Sequence, residues 1–183
     1  MLTRRAFTWA SLIFLLLGGA WIAASALPPG TLVSGNVAAP RAGLLAPDFE
    51  LQTLDGASIR LSDLRGQPVI VNVWASWCPP CKREMPAFQR VYQEYESRGL
   101  VILAVDAIQQ DNLEDVRLFV SNNALTFPIL LDERSEVLSL YQISAFPSTF
   151  FVDPQGVIRK VVIGAVSEPL LRSQVDEMLG QEN

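Results

Sequence analysis

Cys78 and Cys81 are the only two thiols in the 183-residue chain, and the sequence contains no histidine. Two prolines separate the cysteines in the run Trp77-Cys78-Pro79-Pro80-Cys81. Without histidine, Ser-His-Asp and Cys-His catalysis, histidine-ligated zinc and a proximal-histidine haem site are excluded. Two thiols alone complete neither a four-cysteine zinc site nor an iron–sulfur cluster. The pair is left with redox chemistry, a structural disulfide or a soft-metal pair.

The sequence around the cysteines favours redox chemistry. They follow a nearly continuous apolar run, Pro68–Trp74, and a helical pattern begins at Pro80. The positive end of a helix stabilises a thiolate, so we expect a lowered pKa for Cys78. Two intervening residues let Cys81 reach Cys78 within disulfide geometry. A ring this short stabilises a fold little, and a metal pair lacks histidine and a second cysteine pair. We therefore predict no metal site.

Strands and helices alternate in the pattern of apolar residues that surrounds this motif. The predicted strands are 49–52 and 59–61 around Asp55-Gly56, then 68–74, 100–105, 128–131, 148–152 and 157–163. The predicted helices begin at Pro80, near Asp111, at Ser135 and before Leu171, and the second has Asp111, Glu114 and Asp115 in its first turn. Such alternation predicts an α/β fold with a parallel core and helices on both faces, and the two hairpins make the sheet mixed.

The N-terminal segment, residues 1–27, is predicted to lie outside this fold. Arg4 and Arg5 precede an uncharged apolar stretch, Ala6–Leu27, which is long enough for a helix that crosses a bilayer. Ala24-Ser25-Ala26 also fits a signal-peptide cleavage site, and the arginine pair resembles a twin-arginine export signal, so anchor and cleaved signal both remain open. Each alternative exports the rest of the chain, and the anchor would give a single-pass protein of the cytoplasmic membrane. Residues 28–45 are predicted to be a linker, and 46–183 the folded domain.

The charge balance argues against nucleic acid as a partner. The chain has 14 basic and 19 acidic residues, and its formal net charge is −5. Phosphate binding needs a basic surface, so we predict no nucleic-acid partner.

Three motifs resemble the membrane-anchored thioredoxin-like reductases of the TlpA/ResA/CcmG type. They are the run Val71–Pro86 around the cysteines, Ala46-Pro47-Asp48-Phe49 with the hairpin that follows it, and Phe146–Asp153 with Gly156. The resemblance implies a thioredoxin fold with an added N-terminal β-hairpin and a central strand–helix insertion between Val105 and Pro147. Its members reduce protein disulfides outside the cytoplasm, often in apocytochrome c during cytochrome c maturation. A membrane electron donor of the DsbD/CcdA type recharges them.

The resemblance also implies roles for single residues. Cys78 would be the nucleophile that forms a mixed disulfide with the client, and Cys81 would resolve it. No cofactor would be needed beyond the redox-active disulfide Cys78–Cys81. Pro147 would follow a cis peptide bond and present the backbone of Phe146 to a substrate strand. Trp77, Pro79 and Pro80 would complete the substrate-binding surface beside the sulfurs.

Proton transfer is predicted to depend on Glu84. Cytoplasmic thioredoxin has a buried aspartate in the strand before its cysteines, whereas the matching residue of this chain is Asn72, which cannot exchange a proton. Glu84 lies three residues after Cys81 on the same helix face and matches the acidic residue of ResA-type members. Partial burial would raise its pKa and make it a base for Cys81. The alternative is a first-turn glutamate that only favours the helix dipole.

Two other functions remain as alternatives. A thiol peroxidase of the alkyl-hydroperoxide type needs a Pro-x-x-x-Thr/Ser-x-x-Cys loop, and no such run precedes Cys78. A non-catalytic copper-delivery module would lack its usual histidine ligand. We therefore predict an extracytoplasmic thiol–disulfide oxidoreductase, an enzyme that acts as a protein-disulfide reductase.

Overall fold

A computed structural model provides the structure of the chain and describes residues 38–180. The predicted membrane or signal segment, 1–27, and linker residues 28–37 lie outside the described residues. Between residues 38 and 180, none of the helices is both long enough and apolar enough for a membrane crossing.

The described residues form seven strands and four α-helices, at the places that the sequence predicts. The strands are β1 (Glu50–Thr53), β2 (Ser58–Arg60), β3 (Val69–Trp74), β4 (Val101–Asp106), β5 (Ile129–Leu131), β6 (Ser148–Val152) and β7 (Ile158–Ile163). The helices are α1 (Pro79–Tyr95), α2 (Leu113–Asn122), α3 (Glu136–Leu140) and α4 (Glu168–Leu179). Leu61, predicted to end the second strand, instead begins a 3-10 turn.

All seven strands belong to one mixed sheet, in the order β2-β1-β5-β4-β3-β6-β7. The strands β3, β4 and β5 run parallel, while β1 and β6 join them antiparallel. The unit α2-β5-α3 lies between β4 and β6 in sequence, where the insertion was expected. The predicted α/β class, mixed sheet, N-terminal hairpin and central strand–helix insertion are therefore confirmed.

Alternate residues of the central strands contribute to two separate hydrophobic cores, one on each face of the sheet. On one face, Ile70 and Trp74 pack with apolar residues of α1, α2 and α4. On the other face, Val71 and Val73 pack with Val137 of α3. Because all residues of β3 are buried, the strand that leads to Cys78 is enclosed on both sides.

The N-terminal hairpin is attached to the second core through Tyr141. The ring of Tyr141 packs edge-on against Phe49 and Phe150, with centroids 5.8 and 4.9 Å away. Its hydroxyl donates a hydrogen bond of 2.8 Å to the carbonyl of Pro47. This contact gives the Ala-Pro-Asp-Phe motif a structural role.

The end of the predicted linker is part of the folded domain. The backbone of Ile158 in β7 accepts from the N–H of Gly43 at 2.8 Å and donates to the carbonyl of Leu44 at 2.9 Å. Ala46 donates in turn to Gly156 at 2.9 Å. Gly43 and Leu44, which lie in the predicted linker, thus hydrogen bond with the edge strand β7.

Candidate active site

Cys78 and Cys81 form a disulfide at the N-terminus of α1, with their Cα atoms 5.3 Å apart. Cys78 is the N-cap residue, and its Sγ accepts a hydrogen bond of 3.3 Å from the backbone N–H of Cys81. Pro79 and Pro80 occupy the first two helical positions, where a missing N–H costs nothing. Cys78 retains 3% exposure, whereas Cys81 is fully buried. When the disulfide opens, the helix end is therefore placed to stabilise the Cys78 thiolate.

Two aromatic side chains meet beside the disulfide. Trp77 is half exposed, and its ring packs edge-on against Phe146 with a centroid separation of 5.8 Å. Its indole N–H donates to the carbonyl of Gln110 at 2.7 Å, which fixes the ring. The contact brings the Phe146 segment next to the cysteine loop, as the predicted substrate surface requires.

The peptide bond between Phe146 and Pro147 is cis, as the family resemblance implied. Within residues 38–180, the backbone N–H and C=O of Phe146 have no hydrogen-bond partner. Ser148 begins β6 directly afterwards and pairs with Ile163 of β7. The backbone of Phe146 is therefore available for pairing with an added strand beside Trp77.

Glu84 is buried one helical turn after Cys81, with 3% exposure. Its Oε1 accepts from the side-chain amide of Asn72 at 2.9 Å, and its Oε2 accepts from the backbone N–H of Val166 at 2.7 Å. Burial raises the pKa of Glu84 to about 7, although the two donors act in the lowering direction. A carboxyl with this pKa exchanges its proton near neutral pH, which a merely dipole-compensating surface glutamate would not do.

Asn72 links Glu84 to the start of β6. Besides Glu84, its side-chain amide donates to Thr149 Oγ1 at 3.0 Å. Asn72 therefore orients the carboxyl but holds no titratable proton. The position of Glu84 in α1 does not reveal its hydrogen-bond partners, because Asn72 lies on β3 and Val166 lies in the loop before α4.

Sequence reasoning missed an acidic pair at the end of β4. Asp111 was predicted in the first turn of α2, but this helix begins at Leu113 and is capped by Asn112, so that prediction was wrong. The carboxylate of Asp111 instead accepts hydrogen bonds from the backbone N–H and the hydroxyl of Ser76. Asp106 is fully buried beside it, and the signal in the sequence was a carboxyl that ends an otherwise apolar strand.

Within the described part of the chain, no three Cys, His, Asp or Glu side chains are grouped so as to hold a metal ion. The two cysteine sulfurs are bonded to each other in this structure.

A helix-capping disulfide that follows a buried central strand, beside a tryptophan that packs against a cis-proline segment, defines a thiol–disulfide oxidoreductase of thioredoxin fold. Comparison with known proteins agrees with this class. The chain belongs to the AhpC/TSA family, whose model matches residues 42–161.

Curated relatives carry the same activity in their names. "Thiol-disulfide oxidoreductase ResA" of Oceanobacillus iheyensis is 39% identical over 147 residues, which cover 78% of this chain and 76% of the relative. ResA of Bacillus subtilis is 36% identical over 131 residues, which cover 72% of each chain. The chain is thus related to the ResA-type members that its motifs resemble.

Solved structures share the fold. A putative thiol:disulfide interchange protein DsbE from Chlorobium tepidum matches with a TM-score of 0.70 and 27% identity, over 76% of this chain and 99% of the other. StoA from Bacillus subtilis matches with a TM-score of 0.63 and 34% identity, over 70% of this chain and 96% of the other. The thioredoxin-like fold and the thiol–disulfide oxidoreductase activity predicted from sequence are confirmed.

Proposed function

We propose that the chain reduces disulfides of client proteins outside the cytoplasm, with Cys78 and Cys81 as the reacting dithiol. The observation that carries this proposal is the Cys78 sulfur at the helix N-cap, bonded to Cys81, with the buried carboxyl of Glu84 one turn after Cys81 on the same helix. This arrangement supplies the three groups that dithiol exchange requires: a nucleophile, a resolving thiol and a proton acceptor.

The reaction would proceed in two exchanges. The Cys78 thiolate attacks one sulfur of the client disulfide, so a mixed disulfide forms and the other client sulfur leaves as a thiolate. Cys81 then loses its proton and attacks Cys78, and the second client thiolate leaves. The client gains two electrons and two protons in total, and Cys78–Cys81 ends as the disulfide.

Glu84 would act in the second exchange. Cys81 is fully buried, so water has little access to its proton. The carboxylate form of Glu84 lies on the same face of α1, and its pKa of about 7 leaves a substantial fraction ionised at neutral pH. It would accept the Cys81 proton and return it to solvent after the client leaves.

The client would bind across the aromatic pair. Trp77 offers an exposed apolar ring, and the free backbone groups of Phe146 offer main-chain hydrogen bonds to an extended segment. An open groove of about 380 Å³ continues from Trp77 toward Leu118 of α2, which is also half exposed. Pro79 and Pro80 would extend the client-binding surface at the helix start.

Location, donor and client are proposed from the sequence and from family resemblance. The apolar stretch of residues 6–27, preceded by two arginines, supports a membrane anchor with the domain on the outer side of the cytoplasmic membrane. Resemblance to the TlpA/ResA/CcmG type supports apocytochrome c as a client and a DsbD/CcdA-type donor of electrons.

Trapping of mixed disulfides tests the function. In the full chain expressed in membranes, Cys81→Ala is expected to accumulate a covalent complex with the client, because the resolving thiol is missing. The matched control, Cys78→Ala, keeps Cys81 but lacks the nucleophile and should trap nothing. Equal trapping by both variants, or by neither, would contradict the assigned roles.

A panel of three assays separates the alternatives. We expect the reduced chain to reduce insulin, to turn over no peroxide and to bind copper no better than its Cys78→Ala variant does. Peroxide turnover with a sulfenic acid at Cys78 would instead support the peroxidase, and tight cysteine-dependent copper binding would support the delivery module.

A further inference from the structure

Asp106 is a fully buried carboxyl that the exchange steps above do not use. It ends β4, and neither of its carboxyl oxygens has a hydrogen-bond donor in the described structure. Its register partner on β3 is Trp74, whose buried indole N–H is also without a partner. A buried, unpaired carboxylate is strongly unfavourable, so the neutral form of Asp106 is favoured.

Asp111 lies beside Asp106 and connects it with the cysteine loop. Two carboxyl groups hydrogen bond only when one of them carries a proton, and Asp106, once protonated, donates to Asp111. The Asp111 oxygens meanwhile accept from the backbone N–H of Ser76 and from its hydroxyl, the latter at 2.6 Å. Cys78 follows two residues later and donates its own N–H to Ala75 at 3.2 Å.

Asp111 supplies the charge that acts on Asp106. Burial, the charge of Asp111 and the hydrogen bond to Asp111 raise the pKa of Asp106 to about 8. The neighbouring strands present uncharged partners in register, Trp74 on β3 and Leu131 on β5. Asp132, which follows β5, accepts instead from backbone N–H groups at the start of α3.

The charged side chains of α2 are directed to solvent. Glu114, Asp115 and Arg117 are all exposed, while the buried residue of this helix is Val116. Phe119, also on α2, packs against the Trp74 ring with centroids 5.4 Å apart. Asp106 itself is fully buried, whereas Asp111 is partly exposed.

We propose that Asp106 is a positioning residue for disulfide exchange: its protonated carboxyl donates to Asp111, and Asp111 holds Ser76 and with it the turn that carries Cys78. Loss of the Asp106 proton places two negative charges side by side and removes the bond between them. The turn before Cys78 then loses its fixed position. The inference rests on the proposed role of Cys78 as the reacting sulfur.

The test is the rate at which dithiothreitol reduces the disulfide of the full chain, purified in detergent, across neutral and alkaline pH. We compare the wild type with Asp106→Asn, whose amide remains a donor to Asp111 at every pH. The ionisation of dithiothreitol changes both rates by the same factor, so it cancels in the ratio of the two rates. At about pH 9, one unit above a pKa of about 8, roughly one tenth of Asp106 remains protonated. The ratio of variant to wild type should therefore rise from near one at about pH 7 toward about tenfold at about pH 9.

Asp63→Asn is the matched control, because Asp63 is an exposed carboxyl in the 3-10 turn before β3. Its ratio to the wild type should stay flat over the same pH range. A flat ratio for Asp106→Asn as well would overturn the proposal. The assay uses a small thiol instead of a client protein, so its result does not depend on which client is correct. If Cys81→Ala traps no client, that result contradicts the proposed function and leaves the proposal for Asp106 untouched.

A second measurement does not depend on the folding of a variant. Infrared difference spectra of the oxidised wild type should show a protonated carboxyl that loses its proton near pH 8. The chain has no histidine and its cysteines are bonded, so Glu84 and Asp106 are the shifted acids expected to titrate near neutral pH. Glu84→Gln should remove one of the two transitions and leave the other. A single transition, absent in Glu84→Gln, together with no remaining protonated-carboxyl band in that variant, would show that Asp106 is ionised throughout and would overturn the proposal.

Discussion

Replacing Glu84 by Gln should change how the stability of the oxidised protein depends on pH. Burial raises the pKa of Glu84 from 4.5 to about 7, so the folded state binds this proton more tightly than the unfolded state does. The free energy of unfolding must then fall as pH rises between these two values. Gln has no proton to lose, so its curve lacks this part of the fall.

The size of the effect follows from the pKa difference. A shift from 4.5 to about 7, at about 1.4 kcal/mol per unit, corresponds to about 3 kcal/mol. Gln also places an amide NH2 against one of the two N–H donors, Asn72 or Val166, which costs about 1–3 kcal/mol at every pH. Glu84→Gln should therefore be less stable than the wild type at about pH 4 and gain about 3 kcal/mol relative to it by about pH 8.

Urea unfolding of the oxidised full chain in detergent, repeated at several pH values, measures this difference. The proton of Asp106 is present in both proteins, so its contribution cancels. The refuting result is a pair of parallel stability curves, which would mean that Glu84 ionises as freely in the folded as in the unfolded state.

The same variant separates a catalytic from a structural role. If Glu84 accepts the Cys81 proton, Gln should slow the resolving step and change the first attack by Cys78 less. Stopped-flow fluorescence against a model disulfide resolves the two steps. Equal resolving rates at every pH would leave Glu84 with a structural role only.

Three further outcomes are expected. In the reduced protein at mildly acidic pH, an alkylating agent should modify Cys78 before Cys81, because Cys81 is fully buried; mass spectrometry that finds the opposite order would reverse their roles. Trp77→Ala should raise the KM for a protein client by about tenfold, a typical loss for an exposed aromatic contact, while Trp77→Phe should restore most of it; equal KM values for all three proteins would remove Trp77 from the client surface. A reporter at the C-terminus should be active only outside the cytoplasm if residues 1–27 direct export, and activity confined to the cytoplasm would contradict that topology.

Local patterns were sufficient for most of the fold and for the reacting pair. The apolar run before Trp74, the prolines after Cys78 and the spacing of the two cysteines each depend on neighbours within a few residues. They predicted the central strand, the helix start and the disulfide without knowledge of distant contacts.

Contacts between distant residues could not be predicted in this way. Val166 lies 82 residues beyond Glu84 in the chain, yet it supplies a donor to that carboxylate. The sequence around Asp111 is typical of a helix start, because the first turn of a helix favours acidic residues. In the structure its carboxylate instead binds Ser76, 35 residues earlier. The backbone pairing of Leu44 with Ile158 likewise depends on where the sheet edge lies in space.

The two prolines of the motif also determine how many backbone N–H groups can donate to the Cys78 sulfur when the disulfide is reduced. The first N–H groups of a helix normally all point toward the N-cap, but Pro79 and Pro80 have none, so Cys81 is the first residue of α1 that can donate. With a single backbone donor, the dithiol form gains less from opening the disulfide than a motif with two free N–H groups would. Pro80→Ala should therefore move the equilibrium with glutathione toward the dithiol, and an unchanged equilibrium would contradict this. The prolines thus make the dithiol a readier source of electrons, which suits the proposed reduction of client disulfides.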